Sequence, residues 1–442
     1  MYVERVSETR FLTSNYEKAD SRLVVLYGQK GVGKTTLIKN FVRDKNYAYY
    51  EARACSDREQ RFQWACELNA IGANLDRYPE YSDIFNVLYP ENDGSAKILV
   101  IDEFHHLVKG SDSFIEALLS FVKACPAGKK LFVILISSAS GWVENSMVSK
   151  LGYAALSING LLKVREMKFD EICRVHELYP RREAIKIYAA LGGSPGLWNS
   201  FDDRLSAKEN MIHNLLNRES RLFEMLSVFM SEELREPAVY NTILAAMARG
   251  CNKLNDIYRH TGFSRAKISV YLKNLMELDL VEKVSSYETE GYENTQKGLY
   301  RIANPYIRFY FRFIFPNRSL LEQVSAETFY EQVVVDAYPA FVEECYCKVC
   351  RESLQQTASF AGEWIGKDGN LDIVAEDTKG ILTIAFCSYA KQVVYEDYEW
   401  LLFCASKAKI RPGKVILFSE NGCDERLAEM ERQGAFELHQ IL

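Results

Sequence analysis

Three features of this chain predict an α/β fold built on a parallel sheet. An apolar, β-branched run ends in a glycine-rich loop that opens a helix. A second apolar run ends in two adjacent acids. Strand-sized apolar runs then alternate with helix-sized amphipathic stretches. At 442 residues the chain exceeds one ordinary core, so several domains are expected. With 48% hydrophobic and 26% charged residues the composition is that of a soluble globular protein. No apolar run approaches the roughly 18 residues of a membrane span. The opening "MYVERVSETRF" is charged where an export signal is apolar, so a cytoplasmic location is expected, with no membrane partner. The eleven cysteines are scattered and odd in number, which reads as reduced thiols. Cys345, Cys347 and Cys350 cluster in "EECYCKVC", but no fourth ligand follows at zinc-site spacing, so the segment reads as plain helix. The net charge of −6 excludes a general nucleic-acid coater, and any such contact must be a local patch.

The strand–loop–helix is "LVVLYGQKGVGKTTLIKNFV", in which Gly28, Gly31, Gly33, Lys34 and Thr35 satisfy GxxxxGK[ST]. This is a P-loop in its required context. Glycines let backbone N–H groups turn inward around a phosphate, and the helix N-terminus adds its dipole. Gly28, Gly31, Val32, Gly33, Lys34, Thr35 and Thr36 are therefore the expected nucleotide-binding residues. Lys34 would reach the β- and γ-phosphates of ATP, and Thr35 would hold Mg²⁺. The second run, "KILVIDEFHHL", ends in Asp102 and Glu103. A buried strand ending in two acids is the Walker B arrangement, with Asp102 on the Mg²⁺ shell and Glu103 orienting the attacking water. A third run, "KKLFVILISSAS", ends in Ser137 and Ser138, where additional-strand ATPases keep a polar sensor; Ser138 is the candidate. His105 and His106 point to different sides, and neither is assigned chemistry.

On these motifs the chain resembles the archaeal-type P-loop ATPases of the AAA+/STAND class. That resemblance implies a C-terminal winged helix and a further domain related to restriction endonucleases. "YVERVSE" resembles the family's opening box, placing Arg5 near the nucleotide, and "VIDEFHHL" its DEFQ box with histidine for glutamine. "YAALGGSPGLW" resembles the Gly-Gly-x-Pro box, which makes Gly193 and Pro195 nucleotide-side residues of a helical lid. Lys163 and Arg165 follow the sensor strand, without the family's Gly-Arg pair. The expected domains are a P-loop ATPase core over 1–168, a helical lid over 169–229, a winged helix over 230–318 and a small α/β nuclease-like domain over 319–442.

Between Ala238 and Val284 three amphipathic pieces read as helix–turn–helix, with Gly262 in the tight turn and Ser264 capping the next helix. A following strand pair would complete a winged helix. Arg265, Lys267 and Lys273 on the recognition-helix candidate suit DNA phosphates. The wing carries Glu288, Glu290 and Glu293, which suits a protein or intramolecular contact instead. Both partners stay open, as does the oligomeric state.

The last domain reads as helix, hairpin, helix, strand, helix. In active members of the resembled fold, one acid sits on the first hairpin strand and Glu-x-Lys on the next. Here Asp372 keeps the first acid and Glu343 or Glu344 supplies one upstream, but Phe386 and Ser388 stand where Glu and Lys belong. Lys391 lies three residues on. A lone carboxylate does not hold Mg²⁺ at catalytic geometry, so a nuclease-like fold without nuclease activity is expected. The expected function is an ATP-binding, slowly hydrolysing switch that uses ATP/ADP and Mg²⁺. An ATP-dependent DNA-binding or DNA-processing factor is the alternative.

Overall fold

Five parallel strands carry the first of two compact units in the computed structural model, which describes residues 5–88, 97–125, 130–223, 225, 236–287 and 299–442. This unit comprises Met1–Glu166 together with the short piece Glu277–Asp279. Its strands are β1 (Arg22–Tyr27), β2 (Tyr47–Glu51), β3 (Lys97–Asp102), β4 (Leu131–Ser137) and β5 (Gly160–Lys163), in the order β2-β3-β4-β1-β5. Strand β4 thus lies between β1 and β3, pairing Leu26 with Ile136 on one side and Ile101 with Leu135 on the other.

Both faces of the sheet are covered, which is why β1, β3 and β4 are continuous apolar runs and do not alternate. Leu23, Val25, Leu99, Ile101, Val133 and Leu135 pack on one face with Trp64, Phe85 and Phe114. Val24, Leu26, Ile98, Val100, Ile134 and Ile136 pack on the other. There they meet Leu37, Ile38 and Phe41 of helix α2 (Lys34–Val42), and Leu12 of helix α1 (Val6–Tyr16).

The second unit comprises Met167–Met276 and Leu280–Leu442. A buried helix, Arg181–Leu191, leads to the Gly-Gly-x-Pro turn, and Trp198 Nε1 closes that turn by donating to Gly192 O at 2.7 Å. The expected lid boundary near Phe229 lies outside the described residues. Helices Pro237–Ala248, Leu254–Thr261 and Arg265–Glu277 form the helix–turn–helix. Gly262 takes φ 71° in the turn, and Ser264 Oγ accepts from Lys267 N at 3.3 Å. Strands β6 (Val281–Val284) and β7 (Leu299–Ile302) then pair antiparallel, giving the winged-helix form. Glu288, Glu290 and Glu293 of the expected acidic wing lie outside the described residues.

A second five-stranded sheet ends the chain: β8 (Ala358–Ile365), β9 (Asn370–Asp377), β10 (Leu382–Ser388), β11 (Lys414–Ser419) and β12 (Glu437–His439). The pairs β8–β9 and β9–β10 are antiparallel, whereas β10–β11 and β11–β12 are parallel. Two strands depart from the expected order, since β8 precedes the hairpin and β12 follows the last helix. "ASFAGEWI" hid its strand because Gly362 and Glu363 interrupt the apolar pattern and bulges break its register against β9. Among the described residues no helix is long and apolar enough to cross a membrane.

Glu363 is buried, and it forks with Arg301 of β7 (Nη1–Oε1 2.6 Å, Nη2–Oε2 2.5 Å), while Arg351 lies at 3.4 Å. Such a bidentate pair ties β7 to β8 within this unit. Removing one partner strands a largely buried charge. Glu363→Ala should therefore destabilise the second unit by about 3 kcal/mol, read as a lower urea midpoint at unchanged slope. An unchanged midpoint would show that the fork is energetically neutral.

Candidate functional site

Strand β1 delivers the chain into the phosphate loop at Gly28. A Cβ built there would sit 2.1 Å from Val164 O, so only glycine lets the loop pass β5. Gly33 takes φ 96° at the N-terminus of α2, which turns the loop into the helix. Lys34 is buried and its Nζ donates to Gly28 O (2.7 Å) and Gln29 O (2.9 Å). Burial depresses its ammonium, and the nearby Glu103 and Asp102 charges oppose that. Arg5 braces the loop from outside, donating from Nη2 to Val32 O (2.5 Å) and from Nη1 to Arg165 O (2.9 Å). Its Nη1 also pairs with Glu8 at 3.0 Å.

The end of β3 brings the acids to the same edge. Asp102 Oδ2 accepts from Thr35 Oγ1 at 3.2 Å and from Tyr49 OH at 2.7 Å. Burial, the hydrogen bond to Asp102 and its charge all push the Tyr49 phenol up, so it stays a donor. Thr35 and Asp102 thus present hard oxygen atoms side by side at a helix N-terminus, a donor set that suits Mg²⁺.

Glu103 has φ 51°, a left-handed conformation that costs a non-glycine residue about 1 kcal/mol or more. Its Oε2 accepts from Ser138 N (2.9 Å), from Ser138 Oγ (2.9 Å) and faces His105 Nδ1 (3.2 Å). Burial opposes its ionisation, but the His105 and Ser138 hydrogen bonds outweigh it and hold the carboxyl at about 2. His105 is itself buried and shares a 3.1 Å hydrogen bond with Ser137 Oγ. Its ring lies 4.0 Å from that of His106, whose imidazole is pushed down to about 4 by burial and by His105. His105 is the residue that reading the residues alone passed over. Its position in the DEFQ-like box was the available signal.

Gly28, Lys34, Thr35, Asp102, Glu103 and Ser138 therefore share one edge of the first sheet. Gly31, Val32 and Thr36 lie in the same loop and first helical turn, and Val32 is buried. Lys163 on β5 pairs with Glu144 at 3.1 Å. Gly193 and Pro195 belong to the second unit, where a Cβ at Gly193 would meet Met167 O at 1.7 Å. Arg265, Lys267 and Lys273 are exposed on helix Arg265–Glu277, the last of the helix–turn–helix. Arg265 lies 4.2 Å over Tyr258 and Lys267 4.9 Å over Phe263.

In the last domain Phe386, which stands in sequence where an active site's Glu belongs, does not lie on the Asp372 side of its strand. Cys387 stands beside Asp372, whose Oδ2 accepts from Cys387 N at 3.0 Å. Phe386 packs in the opposite core with Leu371, Val374 and Ile384. Side chains alternate along β10, and the irregular start of β9 shifts which parity meets Asp372. Ser388 Oγ donates to Lys391 O at 2.8 Å. Of the two upstream acids, Glu343 approaches this region, with Oε1 accepting from Tyr389 N at 2.7 Å, whereas Glu344 pairs with Arg308 at 2.5 Å. Burial pushes Asp372 up to about 6, against the pull of the Cys387 N–H.

Residues 2–200 match the family described as "ATPase domain predominantly from Archaea". Residues 241–283 match bacterial regulatory proteins of the arsR family, and 310–396 match archaeal and bacterial proteins of unknown function. Over 400 residues the chain is 26% identical to an uncharacterized protein of Methanocaldococcus jannaschii, covering 85% of this chain and 84% of that one. Among the solved structures that share the fold are two archaeal proteins. One is the Walker-type ATPase of Pyrococcus abyssi (TM-score 0.50, 18% identity, 70% of this chain and 96% of that one). The other is the Aeropyrum pernix ORC2 protein in its ADPNP–ADP complexes (TM-score 0.51, 16% identity, 73% and 96%). Along its length the chain is thus similar in turn to archaeal-type P-loop ATPase domains, to arsR-type helix–turn–helix proteins and to a family of unknown function, and it shares a P-loop ATPase fold with these two structures.

Proposed function

We propose that this protein is an ATP-binding, slowly hydrolysing switch of the AAA+/STAND type, coupling nucleotide state to its winged helix and C-terminal domain. The observation that carries this reading is the engagement of Glu103. An acid that orients water must offer a free lone pair toward the γ-phosphate. Here its Oε2 is held by both donors of Ser138 and faces His105. Ser138 is also the sensor-strand residue, and its hydroxyl can serve either Glu103 or a γ-phosphate oxygen. A γ-phosphate oxygen that takes the Ser138 hydroxyl loosens the hold on Glu103 Oε2, and hydrolysis restores it. Lys34 behaves in the same way, leaving the carbonyls of Gly28 and Gln29 for the phosphates. Mg²⁺ held by Thr35 and Asp102 would neutralise charge on the phosphate oxygens. His105 is a positioning residue that keeps Glu103 ionised and fixed.

A second reading, an ATP-dependent DNA-binding factor, draws on the exposed Arg265, Lys267 and Lys273 and on the arsR-type match. Salt separates the two. Binding through phosphate contacts weakens with a log–log slope of about −0.9 per contact. On the switch reading, duplex DNA binds weakly and equally with ATP or ADP. Nucleotide-dependent, salt-sensitive binding that is lost on replacing all three cations with alanine would favour the second reading.

Lys34→Ala should remove the rise in Tm that ATP and ADP give the wild type, measured by thermal-shift titration. A full rise in the mutant would refute the P-loop assignment. Glu103→Gln should keep nucleotide affinity while lowering single-turnover hydrolysis by about 100-fold or more, because the residue positions water and holds no phosphate. His105→Ala should keep ATP affinity, lower hydrolysis by about 10- to 100-fold through misplacement of Glu103, and move the acid limb of the pH–rate profile upward. That sign follows from Glu103, whose folded-state pKa is depressed to about 2 and rises toward the ordinary carboxylate range without His105. An unchanged profile would restrict His105 to packing.

A further inference from the structure

Helix Tyr338–Leu354 lays Cys347 and Cys350 against the second sheet, where Cys387 of β10 and Asp372 of β9 meet them. The sulfurs of Cys347 and Cys387 and a carboxylate oxygen of Asp372 all lie within 4.8 Å of one another. The Cys387 thiol lies in one packed cluster with both Cys347 and Cys350. Two thiols and one carboxylate from three separate elements therefore converge on one half-buried spot, with the Cys350 thiol beside Cys387.

We propose that Cys347, Cys387 and Asp372 ligate a zinc-class cation, with Cys350 supplying the fourth position. Thiolate sulfur excludes Mg²⁺, which demands oxygen in octahedral geometry, and selects zinc. A tetrahedral zinc with Zn–S near 2.3 Å holds its sulfurs about 3.8 Å apart, so the Cys347 and Cys387 sulfurs need to approach by about 1 Å at most. The i,i+3 spacing of Cys347 and Cys350 places both on one side of the helix. Asp372 is oriented by the Cys387 N–H on Oδ2, which leaves its other oxygen for the metal, the kind of outer-shell support that ligating carboxylates have. The surroundings favour a cation as well. Glu343 adds negative charge near Asp372, while the Glu363 carboxylate is offset by Arg301 and Arg351. Because the ligands come from a helix and two strands, the ion would clamp the helix to the sheet, a structural role closed to substrate.

The test uses the full chain, purified under reducing conditions without chelator. Mass spectrometry for metals should find about one zinc per chain, and Co²⁺ replacement should give the thiolate-to-cobalt charge-transfer band of a tetrahedral sulfur site. Cys387→Ser should abolish that band and lower cobalt affinity by at least about tenfold, while Cys66→Ser, an exposed thiol of the first unit, leaves both unchanged. Should Cys387→Ser not fold, the nearly isosteric Asp372→Asn serves instead, with far-UV circular dichroism and nucleotide-induced stabilisation as fold controls. A metal-free protein that takes up no cobalt would overturn the proposal. So would a cobalt spectrum without a thiolate band, or a band that survives both substitutions. Recovery of a Cys347–Cys387 disulfide without bound metal would overturn it too, assigning the thiols to redox chemistry.

Discussion

The placement of β4 between β1 and β3 is the constraint on which the site rests. Parallel strands all end at the same edge, so their C-terminal residues become neighbours in space whatever their separation in sequence. Gly28 leaves β1, Asp102 and Glu103 leave β3, and Ser138 leaves β4. The 2.9 Å contacts between Ser138 and Glu103 join two of these exits, and the 3.2 Å contact between Thr35 and Asp102 joins the third. A sheet with the acid strand directly beside β1 would leave the sensor serine remote from the acid. The continuous apolar runs are a consequence of the same architecture, since a strand covered on both faces has no solvent side to mark with polar residues.

Local chemistry decided what could be read beforehand. The phosphate loop was legible because it needs glycine at fixed positions and lysine immediately after, and because its flanking strand and helix show their own periodicities. Asp102 and Glu103 were legible for a similar reason, as acids are rare at the end of a buried strand. His105 was not. Its contribution depends on a hydrogen bond to Ser137 that spans 32 residues and on burial that no local pattern reports.

The second sheet shows the harder limit. Reading "LDIV" and "TIAFCSYAK" as a hairpin was correct, but which residue faces Asp372 is a question of parity. A single irregularity in a strand exchanges its two faces. Phe386 and Cys387 are adjacent, and the sequence offers no means to choose between them. The register break of β9 against β8 between Gly362 and Trp364 and the close approach of Cys387 to Asp372 decide it. The same limit applied to Cys347 and Cys350. Their shared neighbour Cys387 is 40 residues from Cys347 and 37 from Cys350, too far apart for any spacing rule.

The two halves of the ATPase site store their readiness in the same way. Lys34 occupies the carbonyls of Gly28 and Gln29, and Glu103 occupies Ser138 from a strained backbone conformation. Each contact satisfies a buried charge that would otherwise be costly. On the proposed reading, each is also displaced by a phosphate: the γ-phosphate draws both Lys34 and Ser138, so occupancy and arming of the acid become one event. A nucleotide lacking the γ-phosphate still reaches Lys34 through its β-phosphate but leaves Ser138 on Glu103. The site then distinguishes ATP from ADP mainly through the state of a single carboxylate, and affinity need differ little between them. On that reading slow turnover would follow from the same contacts, since the acid would enter each cycle by giving up hydrogen bonds that hold it below its ordinary pKa.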